Sequence, residues 1–190
     1  MTDRRLIISE LELVLKKSRV IHTLGVEEMA IRMAGIFGED RDKASLAALF
    51  HDYAKYIDDV DMLKLAEHYG IYVDDVYAEA PNLMHGPVGA KLIQEKFGIN
   101  DSDVLNAITY HTVGRAGMSL LEKIIYVADM TEKNRDFPGV QELRKKATEN
   151  IDEAMILCLE QTIAYTLKRR KKIHINSIQT YNSIIENIRR

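Results

Sequence analysis

Leu46-Ala47-Ala48-Leu49-Phe50-His51-Asp52-Tyr53-Ala54-Lys55, residues 46–55, opens as the apolar face of a helix and breaks into an imidazole beside a carboxylate. Asp40 stands where an N-cap for that helix is needed. Neighbouring helical residues point about 100° apart, so His51 and Asp52 can meet on one cation only near a helix end or a bend. A neutral imidazole with an ionised carboxylate is a mixed N/O donor set that suits iron, manganese, zinc or cobalt. A His-Asp pair is common by chance, and two ligands are too few for a catalytic ion. A histidine upstream and a carboxylate downstream are therefore the features to look for.

The helical reading extends outward in both directions. Val26, Met29, Ala30, Met33 and Phe37 recur at three- and four-residue steps, and Gly38 can close that helix in a left-handed cap. Pro87 suits the first position of a helix that Gly98 stops after Phe97. Ser119-Leu120-Leu121-Glu122 reads as a capping box ahead of Leu121, Ile124, Ile125 and Ala128. A long helix is expected over about 150–170 and a last one over about 177–188. Prolines occur only at 81, 87 and 138, and runs of alternating β-branched residues are nearly absent. The segments 70–86 and 130–140 read as loops. No repeat or linker divides the chain, so one all-α domain over residues 1–190 is expected.

Composition narrows the classes. Hydrophobic residues make up 46% and charged residues 29%, ordinary for a globular protein, and the formal net charge is −3. No global field draws such a chain to nucleic acid or to an anionic membrane. The single cysteine, Cys158, excludes an internal disulfide framework and fits a reducing cytosol. The longest apolar run near the start, Leu6-Ile7-Ile8, is too short for a signal peptide, and no uncharged apolar stretch reaches the roughly 20 residues of a membrane span. A cytoplasmic protein without membrane or stable nucleic-acid partners is expected.

His22, in Ser18-Arg19-Val20-Ile21-His22-Thr23, lies between two helical segments in this reading. Asp129 ends the apolar run Ile124-Ile125-Tyr126-Val127-Ala128. A buried carboxylate there needs a partner, either a metal ion or an arginine such as Arg135 or Arg32. The order His, His-Asp, Asp, with helix in every interval, resembles the H…HD…D signature of the HD-domain superfamily of helical metal-dependent phosphohydrolases. Further stretches narrow the resemblance: His22-Thr23-Leu24-Gly25-Val26, Leu83-Met84-His85-Gly86-Pro87-Val88-Gly89, Tyr110-His111-Thr112-Val113-Gly114, and Met118 to Asp129 followed by Arg135 and Pro138-Gly139-Val140. From about residue 16 to 180 the chain resembles the YqeK-type bacterial symmetrical bis(5′-nucleosyl)-tetraphosphatases.

That resemblance implies a compact HD-type helical bundle, a divalent transition metal (iron above all, as one or two ions) and a dinucleoside polyphosphate or nucleotide substrate. His22, His51, Asp52 and Asp129 would hold the metal. His85 and His111 match further family histidines, which either bind a second ion, touch phosphate or donate a proton to the leaving group. Lys55 lies four residues after His51, one helical turn on, and is either a phosphate ligand or an exposed lysine beside Asp58 and Asp59. Arg135 either holds phosphate bidentately or ends a helix in a salt bridge. Thr112 and Asn176 are candidate substrate contacts. His68 and His174 have no matched role. The basic run Lys168-Arg169-Arg170-Lys171-Lys172 is either a solvated helix end, favourable to the dipole, or a flank of the site. Two rivals remain: a nucleotidase of the same superfamily, and a non-catalytic nucleotide- or RNA-binding regulator. The apolar face over 177–188 leaves a homodimer open.

Overall fold

The computed structural model describes residues 3–189, which among themselves form helices and turns and no strand. In chain order the helices are α1 (Arg4–Val14), α2 (Lys17–Phe37), α3 (Arg41–Phe50), α4 (Asp59–His68), α5 (Asp75–Glu79), α6 (His85–Phe97), α7 (Ser102–Tyr110), α8 (Leu120–Thr131), α9 (Val140–Glu149), α10 (Ile151–Lys168) and α11 (Ile175–Ile188). None is long and apolar enough to cross a membrane.

Short polar side chains start most of these helices. Asp40, Asp58, Asp74, Asp101 and Asn150 each accept two backbone N–H groups of the first turn, supplying partners that the helix itself lacks. Ser119 and Glu122 form the expected capping box. Gly38 ends α2 at φ 78° and Gly98 ends α6 at φ 65°, both left-handed. Three local expectations are corrected. Segment 70–86 is not one loop, because Asp74 nucleates α5 and Pro81–Met84 forms a 3₁₀ turn. Helix α6 begins at His85, so Pro87 sits third rather than first, where its missing N–H is still one the helix leaves unpaired. His22 lies inside the long α2 rather than between two helices.

Helix α8 is the axis of the bundle, packed by α2, α3, α7, α9 and α10. Its Leu121, Ile124, Ile125, Val127 and Ala128 meet Val26, Ala30 and Met33 of α2, Phe50 of α3 and Met155 and Leu159 of α10 in one buried cluster. A second, smaller cluster of Ala54, Met62, Ala66, Tyr77, Met84 and Val88 lies under α4, α5 and the start of α6. It seats the first residue of α6. Part of α11 packs within the chain, where Ile184 is buried, Ser177 Oγ donates to Val113 O and Ser183 Oγ accepts from Gly117 N, while Ile175 and Ile188 stay exposed.

Candidate metal centre

Helix ends converge on one point. His51 and His111 sit immediately after the last residues of α3 and α7, His85 is the first residue of α6, and Asp129 lies in the last turn of α8. Each of the three histidines donates its Nδ1–H to the carbonyl three residues earlier: His51 to Ala48 O at 2.6 Å, His85 to Asn82 O at 2.6 Å and His111 to Ile108 O at 2.7 Å. A carbonyl oxygen only accepts, so these bonds put the proton on Nδ1 and leave a lone pair on Nε2. His22 reaches the same state by another route, with Nδ1 3.1 Å from Glu132 Oε1. Four imidazoles are thus locked in one tautomer with Nε2 turned to the centre, as metal-ligating histidines are held by their outer partners.

Asp52, 2% exposed, stands between two pairs of them. Its Oδ2 lies 3.1 Å from His51 Nε2, 3.7 Å from His22 Nε2 and 3.0 Å from the Arg19 guanidinium. Its Oδ1 lies 3.0 Å from His85 Nε2, 3.9 Å from His111 Nε2 and 3.4 Å from Lys55 Nζ. Asp129 Oδ1 is 3.0 Å from His22 Nε2. Ligand atoms of His22, His51 and Asp129, and separately of His51, Asp52 and His111, fall within 4.8 Å of one another.

The donor set fits a cation on geometric grounds. His22 Nε2 and His51 Nε2 are buried and have no hydrogen-bond partner, although carboxylate oxygens stand about a bond length away. With the proton on Nδ1, each Nε2 presents a lone pair, which a carboxylate oxygen cannot satisfy and a cation can. His85 Nε2 and His111 Nε2 face each other at 3.0 Å, where two lone pairs repel unless a proton or a cation stands between them. Electrostatics agree. Burial is the largest influence on Asp129 and Asp52 and works to raise both, yet His22 and Arg135 hold the first, and His51, His111 and His85 the second, below the ordinary carboxylate range. Burial, with the neighbouring His85 and His51, carries His111 down to about 4 against the pull of Asp52. Burial also works to lower His51, but Asp52 and Asp129 outweigh it and raise that pKa.

The other sequence candidates fall in three places. Lys55 is not on a continued helix, since α3 ends at Phe50 and residues 51–56 run as turns; its Nζ nonetheless lies 3.2 Å from His85 Nε2. Arg135 is turned onto Asp129, with Nε 2.8 Å from the backbone oxygen and a terminal nitrogen on Oδ1. Thr112 donates to Leu83 O and, with Asn82, Lys171 and Lys172, lines a cavity of about 240 Å³ alongside the His85 and His111 segments. Asn176 is not brought to the metal cluster; it lines a neighbouring groove of about 720 Å³ with Tyr77, Tyr110 and His174. His174 caps α11, with Nδ1 accepting from Asn176 N and Nε2 3.1 Å from Asp74. His68 is exposed, as is the basic run, whose Lys172 pairs with Glu79 at 3.1 Å.

Two residues escaped the sequence reading. Arg19, which the sequence presents only as part of the His22 motif, holds Asp52. Glu132, 2% exposed, orients His22 and accepts from Asn134 N and Nδ2 through its other oxygen. Its only sequence signal is its place three residues after Asp129. Glu132→Gln turns an amide NH₂ either toward His22 Nδ1–H or toward the two Asn134 donors. The substitution is expected to weaken metal affinity by about 10- to 100-fold. Competition with a chromophoric chelator measures this, and an unchanged affinity would remove Glu132 from the centre.

Comparison with known proteins agrees with this geometry. The HD domain family model matches residues 19–134. The chain is 44% identical over 171 residues to a symmetrical bis(5′-nucleosyl)-tetraphosphatase of Halalkalibacterium halodurans, covering 90% of this chain and 91% of that protein. It is 43% identical over 173 residues to the protein of the same name from Bacillus subtilis, covering 90% and 91%. The crystal structure of a predicted HD superfamily hydrolase involved in NAD metabolism from Clostridium acetobutylicum superposes with a TM-score of 0.95 at 40% identity, covering 98% of this chain and 99% of that one. With His22 from within α2 and His51, Asp52 and Asp129 from the ends of α3 and α8 drawn to one centre, the chain belongs to the HD-domain family, alongside relatives named symmetrical bis(5′-nucleosyl)-tetraphosphatases.

Proposed function

We propose that this chain is an enzyme that hydrolyses diadenosine tetraphosphate, and related dinucleoside polyphosphates, symmetrically into two nucleoside diphosphates. The observation that carries the reading is the set of four Nε2 lone pairs around Asp52, each locked by its own Nδ1 partner. The names of relatives that match nine-tenths of the chain support the substrate. His22, His51, Asp52 and Asp129 would hold a divalent cation, iron in this reading, with His85, His111 and the second oxygen of Asp52 available to another. Such a cation supplies Lewis acidity and a water of lowered pKa. A free thiol at Cys158, buried, fits a cytoplasmic enzyme.

The chain's own residues then do the following. Lys55, between Asp52 and His85, stands where it can neutralise a phosphoryl oxygen as charge spreads in the transition state. Arg135 keeps its guanidinium on Asp129, through Nε to the backbone oxygen and a terminal nitrogen to Oδ1, and would have to turn from there to meet phosphate. Water adds to one inner phosphorus, the bond from that phosphorus to the bridging oxygen of the departing half breaks, and that oxygen takes a proton. His85, whose Nε2 lies 3.2 Å from the Lys55 ammonium, is the candidate to relay that proton, while His111, carried down to about 4, serves as a neutral ligand or phosphate contact. Thr112, Asn82 and the Lys171–Lys172 pair border the cavity for one nucleoside, with Asn176 beyond it.

The test is the product pattern. Metal-loaded protein incubated with diadenosine tetraphosphate is expected to yield ADP alone by ion-exchange chromatography. ATP with AMP would mean that an outer bridge of the tetraphosphate is broken and would overturn the symmetric reading. Inert dinucleotide with mononucleotides cleaved would move the function to the nucleotidase.

A further inference from the structure

We infer that Arg144 is a positioning residue for this centre, acting from α9 on two of the cluster's side chains at once. Its guanidinium takes three main-chain carbonyls and no carboxylate: Nε donates to Thr131 O at 2.9 Å, and one terminal nitrogen donates to Glu132 O and to Arg135 O, both at 2.7 Å. Thr131 and Glu132 are the end of α8, whose last carbonyls have no partner within the helix. Arg135 closes the turn that follows. One planar side chain therefore pins both ends of the segment 131–135.

That segment addresses the cluster from each of its ends. Glu132 turns back over α2 to His22 Nδ1, while Arg135 turns back to Asp129. The approach of Glu132 to α2 is close enough to need a missing side chain: a Cβ on Gly25 would stand 2.6 Å from Glu132 Oε2. Neither contact is made by Arg144 itself, which touches no member of the cluster. Loosening the turn frees the Glu132 carboxylate to leave His22, which then loses its fixed tautomer, and frees Arg135 to release Asp129. Helix α9 carries few buried residues, Val140, Leu143 and Ala147, and Arg144 gives this otherwise polar surface helix a part in the chemistry.

The inference rests on the metal reading above, and the test separates the two. Arg144→Lys and Arg144→Met are compared with the wild-type protein and with Arg32→Met, which removes an exposed arginine lining the same small cavity. Zinc affinity is measured by chelator competition well below the melting temperature, and the His22 Nδ1–H proton is followed by NMR. Both Arg144 variants are expected to bind zinc about tenfold more weakly and to lose the His22 signal to exchange. Lysine does not rescue, because a point charge cannot reproduce the fork that spans three carbonyls. Arg32→Met leaves both readouts unchanged. Unaltered zinc affinity and a retained His22 signal in both variants, with only a lower melting temperature, would overturn the proposal and leave Arg144 a structural residue. Wild-type protein that fails to bind zinc counts against the metal reading instead; the His22 signal then decides Arg144 alone, a signal kept in the variants overturning the proposal and a signal lost in them supporting it.

Discussion

Asp52→Asn is expected to lower turnover of diadenosine tetraphosphate by about 10³-fold, roughly 4 kcal/mol of transition-state stabilisation, while the protein stays folded. The amide matches the carboxylate in size, so the pocket between His51 and His85 is not emptied. What is lost is charge. Asp52 is the one group whose two oxygens face both histidine pairs, Oδ2 toward His22 and His51 and Oδ1 toward His85 and His111. An amide offers one weak neutral oxygen, and its NH₂ meets Arg19 or Lys55 donor to donor. Metal content measured on the purified variant should fall together with activity. Near wild-type turnover with metal still bound would show that Asp52 is not a ligand and would return the centre to His22, His51 and Asp129 alone. His51, His111 and His85 hold Asp52 ionised to well below neutral pH against the pull of burial, so the loss should appear across the whole neutral range.

Much of this was legible before any coordinates. The helix starts were written in short polar residues and the stops at Gly38 and Gly98 in glycine, because capping is a local interaction. The order of His22, His51, Asp52 and Asp129 pointed to side chains that the fold does bring together, because the family resemblance spans nearly the whole chain. The misses have physical causes. His22 gave no sign of lying inside α2, since the polar face around Arg19 hides its periodicity. Lys55 was placed by helical arithmetic that fails where α3 stops at Phe50, and the turns after it bring the ammonium to His85 by a different path. Glu132 and Arg144 were invisible because their roles are contacts between segments 110 and 12 residues apart, the second made to main-chain oxygens that no side-chain pattern announces. The α5 turn was hidden by Pro81, which reads as a breaker but begins a 3₁₀ turn that leads directly into His85.

The crossing of α6 and α7 sets the second large effect. A Cβ on Gly86 would stand 2.8 Å from both Ile108 O and Thr109 O and 3.3 Å from His111 Nδ1. The obstacles are backbone atoms of α7, which cannot turn aside as a flexible side chain can, so the two helices must separate. Gly86→Ala is therefore expected to destabilise the protein by about 3 kcal/mol, an overpacking cost, lowering the melting temperature by roughly 6–12 °C for a chain of this size. Gly89, one turn further along the same helix, is the control: its Cβ would meet Ala54 Cβ at 3.6 Å, an ordinary contact. Gly89→Ala should hold or raise the melting temperature, because alanine is favoured over glycine in a helix by about 1 kcal/mol. Activity should follow the same division. His85 and His111 approach to 3.0 Å only because Gly86 lets α6 rest on the carbonyls of α7, and a shift of about 1 Å in such a pair costs on the order of 100-fold in rate. Gly86→Ala assayed well below its melting point should thus be slow as well as unstable, whereas equal melting temperatures for the two alanine variants would show that the helices part without strain and that glycine at 86 sets neither the crossing nor the histidine pair.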